Sequence, residues 1–501
     1  MNKKYITASD LYNYKKCRYK PFLDRNGDPS IKREVHSLVK LLWESGVQYE
    51  AKVIERFKKD NADKSFIEIS PDKPTSEELF QQTLQAMKDG YDYIYQGFLK
   101  SGNKVGRPDL LVKETGKSNF GSHLYYPMDI KLAREESTWD DGNEKMTAEQ
   151  MWQLYFYGDL LEGAQGIRPE RGFIYKTKAR QFHYYLSKTP KGYDKAMALM
   201  NSYITGDPQD VEPSIGSPCQ MCEWKDHCVK WAEDKNDVSL LFFVGDSMKT
   251  GFKKLGIETI DDLLEQDPGE LSTEVMKLKK EGFFYPRVNE DLIYKIVQRA
   301  HINKKQESVI HERIDFPVSD IEIHYDIEGD PTQDFIYLHG LILIEKGKEP
   351  TYHSFFAEKY EDEGLITEQL FDFFRQYEGV PVYHYADYER TTLTRLIRKW
   401  KLDDKGVFEM LFGEKGTAID LYKVITAKTD WPLTSYSIKA ICKLLGFKWS
   451  AKDASGAASI VWMNDYLAGD KTMKDKILQY NEDDCMATLF LKNKLIEMQN
   501  G

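Results

Sequence analysis

Ile321-Glu322-Ile323-His324-Tyr325-Asp326-Ile327-Glu328-Gly329 is the stretch whose reading decides the fold of the C-terminal half. Its apolar residues recur at every second position, the period of a strand, so Asp326 and Glu328 fall on one face. Phe335 to Ile344 and Thr351 to Phe356 supply two more apolar strands, in the manner of a meander. Two like charges side by side on a buried strand repel and need a cation, which makes this Asp-x-Glu a candidate metal site.

Further ligands are sought where later elements end. Val380-Pro-Val-Tyr-His-Tyr385-Ala-Asp387-Tyr388-Glu389 reads as a strand running into a helix and closing on an acid. Near the C-terminus, Tyr480 and Asp484 of Tyr480-Asn-Glu-Asp-Asp484 are four apart and share a helix face. Four carboxylates can bind two metal ions about 3.5 to 4 Å apart, one activating water and one stabilising the leaving oxygen. This set resembles the DEDD exonucleases of the RNase H-like fold, especially the YprB-type domains, over residues 318 to 497. The resemblance implies Asp326 and Glu328 as the first motif, Glu389 as the second, and Asp484 with Tyr480 as the third, the tyrosine holding the water in line. Thr434 to Gly446 matches the helix that precedes the third motif, and Asp420 is expected on a core strand. Glu389 departs from the family's usual aspartate by one methylene; Asp387 and Asp483 are competitors ranked lower.

The charged run Asn303 to Ser308 sets this half apart from residues 236 to 305, which are helical and lack a strand pattern. Phe252-Lys-Lys-Leu-Gly256-Ile-Glu-Thr259 resembles half of a helix-hairpin-helix module, one helix ending at glycine and threonine opening the next. Such a turn can present N–H groups to a phosphate, aided by Lys249, Lys253 and Lys254. A plain helical connector reads equally well.

In the N-terminal part, Ile31 to Lys58 has helical periodicity and carries Tyr49 and Glu50. A glutamate on such a helix is an ordinary solvent-facing charge unless other carboxylates converge on it. Lys104-Val-Gly106-Arg-Pro-Asp109-Leu-Leu-Val112 opens a strand, and Leu124 to Leu132 reads as a second, with Asp129 and Lys131 on one face. Two acids and a lysine arranged so suit a metal-dependent phosphodiesterase; taken alone, the pair reads as a salt bridge. Thr147-Ala-Glu-Gln150 is a capping box opening a helix that carries Gln153 and Tyr157.

Three cysteines in C-x2-C-x5-C spacing, Cys219, Cys222 and Cys228, lack a fourth soft ligand that Cys17 can bring only by a long-range contact. By spacing alone, zinc and iron-sulfur are even. The ordered pieces over residues 1 to about 232 resemble the RecB-type branch of the PD-(D/E)XK nucleases, and more narrowly its iron-sulfur members of the AddB and CRISPR-associated RecB-like kinds. The resemblance implies Asp109 and Asp129 as metal ligands and Lys131 as the catalytic lysine. It also implies Gln153 and Tyr157 as supports and a structural [4Fe-4S] cluster on Cys17, Cys219, Cys222 and Cys228. Tyr49 stands where the family often has a histidine, which leaves Glu50 as the third carboxylate.

Composition bounds these readings. With 501 residues, 41% hydrophobic and 30% charged, the chain is expected to be a soluble protein of two or three domains. Its start lacks the apolar stretch of a signal peptide, so cytoplasm is the expectation, with no membrane partner. Six cysteines are too few for a disulfide framework, and Cys442 and Cys485 read as buried thiols. A net charge of -11 argues against a general polyanion-binding surface, so nucleic acid must meet bound metal or local patches. Lys15, Lys16, Arg18, Lys20 and Arg25, around Cys17, form one such patch, which a solvated basic face explains equally.

The expectation is therefore an α/β chain with two mixed-sheet nuclease domains, one PD-(D/E)XK restriction-endonuclease-like and one RNase H-like, joined by a helical segment. The boundaries are 1–235, 236–305 and 306–501. This domain order resembles an uncharacterised prokaryotic RecB-like nuclease family. Both heads are expected to use Mg2+ or Mn2+ on nucleic acid, DNA before RNA, with repair or defence following by association. No Walker-type loop is found, so unwinding falls to a helicase in another chain. The rival is a nucleic-acid-binding scaffold with one degenerate head; a zinc-stabilised enzyme of other chemistry is a third reading.

Overall fold

The computed structural model describes residues 4–69, 75–132, 146–176, 180–450 and 455–500. The chain divides into two compact units, residues 1–213 with 218–228, and residues 214–217 with 229–501. Both are α/β and built on mixed sheets. Among the described residues no helix is long and apolar enough to cross a membrane.

The first unit holds a six-stranded sheet in the order Phe66–Glu68, Tyr93–Tyr95, Leu110–Ser118, Gly121–Ile130, Arg171–Lys176, Arg180–Tyr185. Strand alternation sends Leu110, Leu124, Tyr126, Met128 and Ile130 to one face, against Val53 and Ile54 of the helix Ser37–Asp60. Leu111 and Tyr125 face the other core, where Trp152, Phe156, Leu160 and Leu161 of the helix Ala148–Gln165 are buried. Each such side chain contributes about 1.5 to 3 kcal/mol by leaving water. Gly121–Ile130 and Arg171–Lys176 are parallel, so the helix between them must cross back over the sheet. Its start is the capping box expected from Thr147 and Gln150.

The second unit opens with the helices Asp246–Lys253, Ile260–Leu264, Pro268–Lys280 and Glu290–Lys305, which bury Phe252, Ile260, Val275, Ile293 and Ile296 among themselves. Gly256 takes φ +76° after the first helix and Thr259 caps the second, the turn read from the sequence. Buried contacts anchor this helical segment to the C-terminal part of its own unit. Arg299 donates to Asp430 at 2.6 Å with both side chains buried, and Phe242 stacks on Tyr436. Removing either partner of such a buried pair costs about 3 to 5 kcal/mol.

Beyond it lies a five-stranded sheet in the order Thr351–Phe356, Phe335–Glu345, Ile321–Asp330, Val382–His384, Ala418–Asp420. The first three strands form the expected antiparallel meander, and the last two add in parallel. Asp420 ends an edge strand and caps the helix Leu421–Lys428, accepting from Tyr422 N at 2.9 Å. Ile323, Tyr325 and Ile327 bury into a core with Leu370, Phe374, Leu393 and Leu396. Asp326 and Glu328 have the opposite parity, and the 28-residue helix Met473–Asn500 packs on Ile321–Asp330.

Candidate functional site

The central strand Ile321–Asp330 and the last helix supply the closest acid cluster. Oxygens of Asp326, Glu328 and Asp484 all lie within 4.8 Å of one another, the one such group of His, Cys, Asp or Glu ligand atoms among the described residues. The approach depends on Gly340, which pairs with Asp326 across the sheet: a Cβ there would sit 1.5 Å from Asn481 Oδ1. Asn481 is thereby free to donate to Asp326 Oδ2 at 2.9 Å.

Crowding shows in the electrostatics. Burial raises the Asp326 carboxyl well above its ordinary value, and Asp484, Glu328 and Glu389 raise it further. Burial and then Asp484 push Glu328 up to about 8. Asp484 is also raised by burial, against the pull of Lys439, Trp449 and Tyr480. Three acids held in this condition could take up a divalent cation, whose charge would replace the protons. Their all-oxygen donor set fits Mg2+ or Mn2+.

Glu389 stands apart from this triad. It lies in the first turn of Tyr388–Trp400, buried, with Oε2 3.1 Å from His384 Nδ1. It is near enough to Asp326 to raise that group. The turn before it is strained: Ala386 takes φ +72°, its N–H donating to Asp420 Oδ1 at 2.9 Å. The lower-ranked acids point elsewhere. Asp483 accepts from Ser450 N and Oγ at 2.7 and 3.0 Å, and exposed Asp387 faces Lys423 at 3.7 Å.

The first unit gathers its acids more loosely. Asp109 Oδ2 accepts from Ile130 N at 2.6 Å; Glu50 Oε1 accepts from Tyr95 OH at 2.9 Å and Gln96 Nε2 at 2.6 Å. Lys131 forms an ion pair with buried Asp129. Gln153 Nε2 donates to Asp129 Oδ1 at 2.9 Å and to Tyr157 OH at 3.1 Å. Gly106 permits this packing, because a Cβ there would lie 2.7 Å from Leu160 Cδ1 and 3.0 Å from Tyr157. Desolvation raises Asp109 well above the carboxylate range, followed by Asp129, against Lys131. For Lys131, desolvation opposes the charge, but Asp129 and Asp109 outweigh it and hold the ammonium above its ordinary pKa.

The cysteines come together across the chain. Cys17 caps the helix Ala8–Lys16, Cys219 lies in the turn Ser217–Met221, and Cys228 is in the helix Lys225–Lys235. Arg33 ties their loop down, donating to Cys222 O at 2.8 Å and Cys219 O at 3.3 Å. Burial pushes the Cys17 thiol up to about 11, with Cys219 and Cys222 adding to it. Cys228 is raised by burial and then by Cys17, Cys219 and Cys222. The raised Cys17 and Cys228 thiols would be released as thiolates by a metal centre.

The basic residues divide. Lys15 lies over the Trp152 ring at 4.7 Å and Lys16 faces Glu149 at 3.6 Å, while Arg18 O accepts from Tyr203 OH at 2.8 Å. Lys253 faces Glu258 at 3.9 Å and Lys254 lies 5.8 Å from the Phe283 ring. Lys249 corrects the expectation of a phosphate contact: it is buried, donating to Asp237 at 2.6 Å, because the helix face that carries it packs inward. Sequence reasoning overlooked Lys439, Asn481, Trp449 and His384. Of these, Lys439 carried a signal, being a cation in the first turn of a helix.

No curated protein matches the chain. Residues 323–496 match the RNase_H_2 family model of the RNase_H superfamily. The second unit thus carries an RNase H-like domain, of a superfamily whose nucleases hydrolyse phosphodiester bonds with divalent metal ions such as Mg2+ or Mn2+.

Proposed function

We propose that the protein is a metal-dependent nuclease with two phosphodiester-cleaving heads, an exonuclease-type centre in 306–501 and a RecB-like, PD-(D/E)XK-type centre in 1–235. The observation that carries the reading is the meeting of Asp326, Glu328 and Asp484 oxygens within 4.8 Å beneath an RNase H superfamily match. In the C-terminal head, those three acids hold the cation and Glu389 supports the Asp326 side. Tyr480, one helical turn before Asp484, aligns the water. The divalent ion supplies a more acidic water and charge neutralisation at the phosphate. In the N-terminal head, Asp109, Asp129 and Glu50 are the ion-binding acids. Lys131 stabilises charge developing on the phosphate, and Gln153 and Tyr157 fix Asp129.

Cys17, Cys219, Cys222 and Cys228 are proposed to hold a [4Fe-4S] cluster. Tetrahedral zinc, with Zn–S near 2.3 Å, needs thiolates about 3.8 Å apart. The four cysteines would satisfy either centre, and the iron-sulfur assignment rests on the resemblance. DNA as the substrate before RNA, Lys15, Lys16, Arg18, Lys253 and Lys254 as its contacts, a helicase partner, a repair or defence role and a cytoplasmic location rest on the resemblance and on charge.

The test is product analysis on end-labelled single-stranded DNA, double-stranded DNA and RNA, with Mn2+ and anaerobically purified protein, comparing Asp129→Ala with Asp326→Ala. Loss of different products in each supports two working heads. The His384 contact that holds Glu389 gives a specific ground for the second reading, a binding platform with one degenerate head. A parent protein that binds these nucleic acids but never cuts them would establish it.

A further inference from the structure

Lys439 stands beside the C-terminal acids with no role assigned to it above. Its Nζ donates to the Tyr480 hydroxyl at 2.6 Å and lies 3.9 Å from Asp484 Oδ2. It sits 4.5 Å from the Tyr480 ring centroid and 5.9 Å from that of Trp449. Trp449 in turn donates to Asp484 Oδ1 at 2.6 Å. The charge of Lys439 acts on Asp326, Glu328 and Asp484, lowering each against its burial.

Local stability does not account for the residue. Lys439 is the second residue of the helix Ile438–Leu444, whose N-cap is Ser437. The partial positive charge of a helix N-terminus disfavours a cation there. Nor is the side chain trapped, since 40% of it is exposed. A long flexible lysine can carry its ammonium into water, yet this one is drawn to the hydroxyl that faces the acids.

We infer that Lys439 is a positioning residue of the C-terminal centre, fixing the Tyr480 hydroxyl and setting a positive charge beside the attacking water and the phosphate oxygens of a nucleic acid. This rests on the nuclease reading above. Because Tyr480 accepts from Lys439, its own O–H hydrogen is directed to Asp484, and the phenol cannot turn away from the water it aligns. A compact ammonium with three donors can serve Tyr480 and a phosphate oxygen together. Its charge also opposes the cation, which lowers ion affinity in exchange for stabilising the transition state.

The test compares the parent with Lys439→Met, Lys439→Gln, Lys439→Arg and Asp326→Ala. It reads kcat and KM on end-labelled single-stranded DNA with Mn2+, and Mn2+ affinity by calorimetry without nucleic acid. Removing the charge is expected to lower kcat about 100-fold with KM within about twofold, the size expected for one charged donor. Lys439→Arg recovers part of the loss. Mn2+ binds Lys439→Met about threefold to tenfold more tightly, since a like charge has gone. Parent-like kcat and Mn2+ affinity in Lys439→Met and Lys439→Gln, beside an inactive Asp326→Ala, would overturn the role of Lys439 and leave the nuclease standing. A parent that neither binds Mn2+ nor cuts would overturn the nuclease reading and this inference with it. Melting temperatures verify folding, and Met and Gln provide two uncharged variants in case one misfolds.

Discussion

The two acid clusters solve the same electrostatic problem in different ways. In the first unit each acid has its own protein partner: Asp109 a backbone N–H, Glu50 a tyrosine and a glutamine, Asp129 a lysine two residues along its own strand. In the second unit three acids crowd within 4.8 Å, and the nearest cation comes from another helix and stops 3.9 Å short. A partnered cluster is stable without metal and must exchange contacts to bind it. A crowded one, eased by the neutral donors Asn481 and Trp449 and by Lys439 at a distance, still needs protons or metal to offset its charge, and so should respond more sharply to both.

The largest effect expected is on catalysis. Asp326→Asn should abolish Mn2+ binding at the crowded site and its cleavage products by at least about 1,000-fold, as removal of a core catalytic group does. Asp129→Asn should remove the other products while leaving that Mn2+ site intact. Calorimetry beside product gels checks both, and loss of one shared product set in both variants would break the comparison.

Next in size is Gly340→Ala. The added methyl meets Asn481 and pushes the last helix off Asp326, so the second unit should lose about 1 to 3 kcal/mol and the Mn2+ affinity should fall with it. Gly106→Ala should strain the first unit at Leu160 and Tyr157 without changing that affinity. Thermal melts with and without Mn2+ separate the two outcomes.

A smaller effect comes from pH. Burial and the neighbouring Asp484 push Glu328 up to about 8 in the folded protein from an ordinary value of 4.5, so between these limits the folded state binds more protons than the unfolded chain. The sign is fixed: its contribution is fully present below 4.5 and is lost as pH rises through 8. Melting temperature in EDTA should therefore fall from pH 5 to pH 8, and Mn2+ at pH 8 should restore it. Glu328→Gln should flatten the slope. The smallest effect is that of Ala386→Gly, which relieves a left-handed alanine at φ +72° and should raise stability by about 1 kcal/mol, seen as a higher denaturant midpoint.

Features that repeat along the sequence are legible in it. Period-two runs reveal the strands, and the spacing of Asp326 to Glu328 and of Tyr480 to Asp484 puts each pair on one face before any tertiary contact is known. The capping boxes at Thr147 and Thr259 are readable for the same reason. Contacts across long separations are not. Lys439 reaches Tyr480 over 41 residues, Trp449 reaches Asp484 over 35, and Asn481 reaches Asp326 over 155. Lys249 looks like a surface base in a lysine-rich run because nothing nearby in sequence announces Asp237 and Trp231, which bury it. The held-back position of Glu389 likewise depends on His384, whose role is set by how the strand turns into the helix.

The meeting of Cys17 with Cys219, Cys222 and Cys228 also sets a clock. Cys17 is made before the thiols it must face, which arrive only when the chain has grown to residue 228. At about 5 to 20 residues per second, the first unit waits roughly ten to forty-five seconds on the ribosome before its last contact can close. Through that interval Cys17 has none of these partners and is open to oxidation. A cell short of reductant should therefore damage this protein during its synthesis more than after it.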